Sequence, residues 1–165
     1  DVAAAVIPFG SRIIFPGYAG GDVDLVVILA KYDQDVLPRV RIPEEMQRVR
    51  RALVQPELDS DDSPVIEIVK SLPKARIPLL KARHVPSQSP VDLVIHLGHP
   101  IVSSWFLRDI VAASSVSKKL IQLVRNWGAS KDITRADLGM LPKYGYSLLV
   151  VAFLQKRGLL PANSG

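Results

Sequence analysis

The 165 residues include no cysteine. That absence excludes disulfide bonds, a thiol nucleophile and any zinc site built on cysteine ligands. The chain also lacks the Gly-x-Gly-x-x-Gly fingerprint of dinucleotide-binding units and the glycine-rich lysine loop of Walker-type phosphate sites. No nucleophile elbow surrounds a serine, so His84, His96 and His99 have no hydrolase triad to join, and His96 and His99 read as strand-end and loop residues. The longest apolar run, at 148–154, is too short to span a bilayer, and no signal peptide is visible. What remains is a chain 48% hydrophobic and 22% charged, long enough to bury one core. Its formal charge of +5 favours a polyanionic partner, and both RNA and nucleoside triphosphates qualify.

The densest chemistry lies between Phe9 and Val27. An apolar strand at 5–9 runs into Gly10-Ser11, a turn that exposes backbone N–H groups and a hydroxyl, the kind of concavity that receives phosphate oxygens. After Gly20-Gly21, the segment 22–29 reads as a buried strand carrying Asp22 and Asp24. Side chains alternate along a strand, so the two carboxylates share a face, with α-carbons about 6.5 to 7 Å apart. Carboxylates so placed can converge on two divalent cations about 3.5 to 4 Å apart, the spacing used for in-line phosphoryl displacement.

A third acid, Asp92, sits in the apolar run Pro90-Val91-Asp92-Leu93-Val94-Ile95-His96, where an unpartnered carboxylate is expensive. The run 77–84 is also strand-like, and Pro-Ser-Gln-Ser-Pro at 86–90 makes a hairpin loop between the two. Together with Phe9-Gly10-Ser11, Asp22-Val23-Asp24, Ile77-Pro78-Leu79-Leu80-Lys81, Val124-Arg125-Asn126-Trp127 and Tyr144-Gly145-Tyr146-Ser147-Leu148, these motifs run in order through nearly the whole chain. In that order they resemble the RNA terminal nucleotidyltransferases of the polymerase-beta superfamily, the terminal uridylyltransferases and the related RNA-tailing poly(A) polymerases.

The resemblance implies an α+β fold: a polymerase-beta-like nucleotidyltransferase domain with a mixed sheet over 1–100, followed by part of an α-helical domain over 101–165. It implies that Asp22, Asp24 and Asp92 ligate two magnesium ions, or manganese in their place, with Asp92 also assisting deprotonation of the attacking RNA 3′-hydroxyl. Three close carboxylates repel by roughly 3 kcal/mol per pair at about 5 Å and an effective dielectric of about 20, so such a cluster wants cations. Gly10 and Ser11 would hold the β- and γ-phosphates, Ser103 and Ser104 would stand at the ribose, Arg125 and Lys143 at the triphosphate, and Tyr144 would stack on the base. Departures from the family pattern are Ser103-Ser104 for an Asn followed by Thr or Ser, Arg125 for a Lys, Ala129 for a second Lys one turn later, Lys143 for a Ser, and Phe15 for a Gly. Arg125 keeps the charge, but its fork is planar where Lys is a point donor. The expected partners are UTP or ATP and an RNA 3′ end, with no membrane and an intracellular setting that leaves mitochondrion and cytoplasm undistinguished.

Elsewhere the pattern reads as strands with one helix, then helices. Pro43 suits a first helical turn, with Glu44 and Glu45 at its positive end and Met46, Val49, Leu53 and Val54 as its apolar stripe. Arg48, Arg50 and Arg51 decorate its other sides and read as a solvated face, with RNA contact as the alternative. The acidic segment 58–64 lacks the glycine and distal glutamate of a calcium loop and reads as exposed, and 65–69 reads as a strand. Val116, Leu120, Ile121, Leu123, Val124 and Trp127 follow helical spacing as a core stripe, with Lys118 and Arg125 facing away. Trp105-Phe106-Leu107 and Trp127 read as core. The helix from Pro142 through Leu154 is apolar nearly all round, as expected at the centre of a helical domain. Because the resembled fold extends at both ends, the chain reads as part of a longer protein. The expected activity is template-independent addition of UMP from UTP to RNA 3′ ends. One alternative is poly(A) polymerase activity of the same family. The other, motivated by Ala129 and Ser103, is a catalytically inactive structural subunit of an RNA-processing or ribonucleoprotein assembly.

Overall fold

A computed structural model describes residues 3–18, 21–32, 37–54 and 65–161. The chain forms two compact units, Asp1–Trp105 and Phe106–Gly165. The first holds a five-stranded mixed sheet in the order β1-β2-β5-β4-β3, built from β1 (Ala3–Phe9), β2 (Val23–Leu29), β3 (Ile66–Leu72), β4 (Leu79–His84) and β5 (Ser89–Ile95). All neighbours pair antiparallel except β2 and β5, which run parallel. The short helix α1 (Ser11–Ile14) follows β1, and α2 (Ile42–Val54) follows β2. β2 starts one residue later than its apolar pattern suggested: Gly21 turns the chain at φ 85°, and Val23 is the first residue to pair with β5. The acidic segment 58–64 lies outside the described residues.

Alternation decides which face of the sheet is core. Val27 and Leu29 of β2, Val91, Leu93 and Ile95 of β5, and Leu80 and Ala82 of β4 all pack with Ile42, Met46 and Val49 of α2 in one buried cluster. The intervening residues of the same strands, Asp24, Asp92 and Lys81 among them, therefore point to the opposite face. Buried His96 closes β5 and ties it to β2 twice. Its backbone N–H donates to Val27 O at 2.8 Å, and its Nδ1 accepts from Leu29 N–H at 3.0 Å. Nδ1 as acceptor puts the ring proton of a neutral imidazole on Nε2, a structural tautomer rather than a catalytic one.

Helix α3 (His99–Ala113) carries the division between the units, and α4 (Ser115–Ser130) and α5 (Lys143–Lys156) belong wholly to the second. Ser114 caps α4 by accepting from Ser117 N–H at 3.3 Å. The apolar stripe expected on α4 is rotated. Its buried residues are Ser117, Ile121 and Gly128, whereas Val116, Leu123 and Trp127 are exposed. Gly128 explains the rotation, since a Cβ there would approach Thr134 Cγ2 within 2.9 Å. Close backbone approach through a glycine replaced an aromatic knob, and Lys118 and Arg125 become half-buried in consequence. Trp105 is likewise exposed rather than core. α5 buries Ser147, Val150, Val151 and Leu154 but leaves Leu149 and Phe153 exposed, so its all-round apolarity is only half used within the described residues.

Candidate active site

Register brings the acids together. Asp24 pairs with Asp92 across the parallel β2–β5 contact, Phe9 stands opposite Asp24 in β1, and Lys81 stands opposite Asp92 in β4. Register neighbours share a face of a sheet, so these side chains form one row, with strands about 4.8 Å apart. Asp22 lies just before β2, two positions from Asp24 and on the same side of the alternation. Lys81 Nζ pairs with Asp92 Oδ2 at 3.3 Å. An open cleft beside the row is walled by Asp22, Asp92, Lys81, Arg83 and Gln88.

The Gly10-Ser11 turn lies against this row. Gly10 adopts φ 75°, ψ −158°, a region essentially reserved for glycine. A Cβ at that position would land on the Asp24 carboxylate. Ser11 donates a backbone hydrogen bond to Asp24, and its Oγ lies 3.2 Å from where a Cβ of Gly21 would be. Arg12 closes the other side through Nη2, which donates to Gly21 O at 3.1 Å and so fixes the residue before Asp22. Ser104 Oγ accepts from Gly10 N–H at 2.8 Å and donates to Pro100 O at 2.8 Å. Ser103 beside it is half-buried.

Electrostatics mark Asp24 as the strained member. Burial, then the charges of Asp92 and Asp22, push its carboxyl from 3.8 up to about 6, against the opposing pull of the Ser11 N–H and Lys81. No packing requirement accounts for acids held against one another in this way.

Among the described residues no three His, Cys, Asp or Glu side chains are gathered tightly enough to enclose a metal ion by themselves. Magnesium does not require such a cage: it is bound by one or two carboxylates, with water and substrate phosphates completing its octahedron. Asp24 and Asp92, register neighbours with all-oxygen donors and repulsion at Asp24, fit that partial shell, and Asp22 stands beside them.

The remaining sequence candidates, Arg125, Lys143 and Tyr144, belong to the second unit. Arg125 is a half-buried residue of α4, and Lys143 is an exposed residue at the first position of α5. Tyr144 is 36% exposed. Tyr146 behaves differently, half-buried with its hydroxyl donating to Ile133 O at 3.4 Å. Sequence reasoning gave no role to Arg12 or Lys81. Lys81 had a signal, a cation between apolar residues in the strand next to the acid strand, but its partner follows only from register.

This is the fold of the polymerase-beta-like nucleotidyltransferases. A family model described as poly(A) RNA polymerase, mitochondrial-like, central palm domain, matches residues 2–107. The chain belongs to that family. Among solved structures, terminal uridylyl transferase 4 from Trypanosoma brucei with bound dUTP superposes with a TM-score of 0.72 at 18% identity, over 93% of this chain and 48% of that one. An mtPAP structure in complex with GTP gives a TM-score of 0.72 at 24% identity, over 93% of this chain and 34% of the other. The same protein in complex with UTP gives 0.71 at 23% identity. The chain thus spans at most about half the length of these relatives. Among the described residues no helix is long and apolar enough to cross a membrane.

Proposed function

We propose that the protein is a template-independent RNA 3′-terminal nucleotidyltransferase, which joins a nucleoside monophosphate from a nucleoside triphosphate to an RNA 3′-hydroxyl and releases pyrophosphate. The observation that carries this reading is the row in which Asp24 and Asp92 face each other on parallel strands beside the Gly10-Ser11 turn. Asp22, Asp24 and Asp92 would hold magnesium, which when bound neutralises phosphate charge and stabilises the attacking and leaving oxygens. The chain's own residues divide the other tasks. Ser11 offers its hydroxyl to the β- and γ-phosphates, with Gly10 allowing the turn to approach. Asp92, held by Lys81, accepts the proton of the 3′-hydroxyl. Arg125 and Lys143 supply charge-assisted hydrogen bonds to the triphosphate, and Tyr144 stacks on the base.

We assign UTP as donor, because Tyr144-Gly145-Tyr146-Ser147-Leu148 resembles the uridylyltransferases more than the poly(A) polymerases. AMP addition is the second reading, favoured by the description of the family model over 2–107. A tailing assay on a labelled RNA 3′ end, run with each triphosphate alone and magnesium, tests both. Extension with UTP in preference to ATP supports the first reading, and the reverse preference supports the second. Wild-type protein that neither extends RNA nor binds any triphosphate would place the chain with structural subunits of an RNA-processing assembly.

A further inference from the structure

The Ser103-Ser104 pair stands where the resembled family meets the ribose, yet its second hydroxyl is committed elsewhere. A serine hydroxyl has one donor and two acceptor lone pairs. Ser104 spends the donor on Pro100 O and one lone pair on Gly10 N–H, each at 2.8 Å, and its side chain is only 4% exposed. So engaged, it has no proton left for a ribose oxygen, and burial shields its one remaining lone pair from a ribose hydroxyl.

Its position matters because of what Gly10 is asked to do. Backbone in this glycine-only region persists only when its surroundings over-determine it. Here the carbonyl of Gly10 accepts from Ile13 and Ile14 N–H at 3.2 and 3.1 Å, and its N–H is held by Ser104 across 94 residues of sequence. The next residue, Ser11, bonds Asp24, and Gly10 itself leaves no room for a side chain beside that carboxylate. Release of the Gly10 N–H would free the turn to shift relative to Asp24.

Resting on the nucleotidyltransferase reading, we propose that Ser104 is a positioning residue, which sets the Gly10-Ser11 turn at the distance from Asp24 that the triphosphate needs. Calorimetric titration of UTP, 2′-deoxy-UTP and uridine, with magnesium present, into wild type and the variants S104A and S104T separates a positioning role from ribose contact. S104A should weaken UTP and 2′-deoxy-UTP equally, by about tenfold, leaving their ratio and the affinity for uridine unchanged. S104T, which restores the hydroxyl, should recover wild-type binding to within about twofold. Where S104A does not melt cooperatively, S104T against its isostere S104V makes the same comparison at constant volume. The proposal is overturned if S104A narrows the ribo-to-deoxy difference, which would make Ser104 a ribose ligand, or if removing the hydroxyl leaves triphosphate affinity unchanged. Wild-type protein that binds neither triphosphate refutes the nucleotidyltransferase reading itself and is recognised before any variant is made.

Discussion

The two faces of the sheet treat an acid in opposite ways: Glu45, on the helix that covers one face, is buried, and Asp24, on the other face, is half-buried. On the α2 side, Glu45 is 1% exposed yet matched within the fold. It accepts from the Tyr32 hydroxyl at 2.9 Å and pairs with Arg48 at 3.1 Å and Lys31 at 3.8 Å. On the other side, Asp24 meets two further acids, and the neighbouring cation, Lys81, is bonded to Asp92. An acid needed for stability comes with its counter-charges. Asp24 is left short of them, and a deficit of that kind is what a cation or a substrate can fill.

The sharpest break of this comparison is Asp24→Ala. Tailing activity should fall at least about a thousandfold, the equivalent of about 4 kcal/mol at the transition state, while the protein stays folded. Removal of one member of a repelling set should, if anything, raise the melting temperature without metal. Activity within tenfold of wild type would remove Asp24 from the chemistry.

The same contrast between matched and unmatched groups holds for two tyrosines of α5. Tyr146 has its hydroxyl bonded to Ile133 O, and Tyr144 is exposed. Tyr144→Ala should raise the Michaelis constants for UTP and ATP alike by roughly five- to a hundredfold, since stacking contributes about 1 to 3 kcal/mol per base without choosing among bases. Tyr144→Phe should be mild. A fall in melting temperature with unchanged nucleotide affinity would instead make Tyr144 a packing residue.

Glu45→Ala probes the matched side. It strips the Tyr32 hydroxyl and two cations of their acceptor and should cost about 2 kcal/mol, or about 4 to 8 °C of melting temperature in a chain of this length. Activity per folded molecule should not change. A loss of activity at full stability would mean that the α2 face communicates with the acids on the opposite face of the sheet.

Local grammar made much of this legible. Gly10-Ser11, the alternation of Asp22 and Asp24, and the proline-serine hairpin before Asp92 each leave a signal within a few residues. What sequence could not show was non-local. Asp24 and Asp92 become neighbours only through a parallel pairing that no hairpin dictates. Ser104 reaches Gly10 from 94 residues away, and a serine near a helix start carries no mark of its target. Glu45 was read as a dipole residue because a carboxylate on a helix's first turn ordinarily faces water, and its burial depends on Tyr32, Lys31 and Arg48 converging in space. The α4 stripe departs from its apolar spacing because that spacing counts side chains, whereas Gly128 packs by having none.

Lys81→Met sharpens the comparison by making the unmatched face still more negative. Titration of nucleotide-free protein with manganese, followed by electron paramagnetic resonance, should show affinity raised by about tenfold, because the ammonium no longer competes for Asp92. Tailing activity should fall in the same variant as Asp92 loses the partner that holds it. Weaker manganese binding would show instead that Lys81 orients Asp92 as a ligand and that its charge is secondary.

The smallest effect concerns pH, and its sign follows from Asp24. The folded carboxyl titrates at about 6 against an ordinary 3.8, so the folded state holds this proton more tightly than the unfolded chain does. The group's stabilising contribution is therefore fully present below about 3.8, is lost as pH rises through about 6, and changes no further above that. Asp24→Asn has no such proton to lose. In metal-free protein the variant should melt about 2 to 4 °C above wild type at pH 7, the equivalent of about 1 kcal/mol after allowance for water reaching the carboxylate. The gap should close as pH falls from 6 toward 4. Reading the difference between the two proteins at each pH cancels the carboxylates common to both. Magnesium added at pH 7 should close the gap from the other side by stabilising wild type alone. A difference that stays constant between pH 4 and 7 would mean that Asp24 is as well matched as Glu45, and the contrast between the two faces would fail.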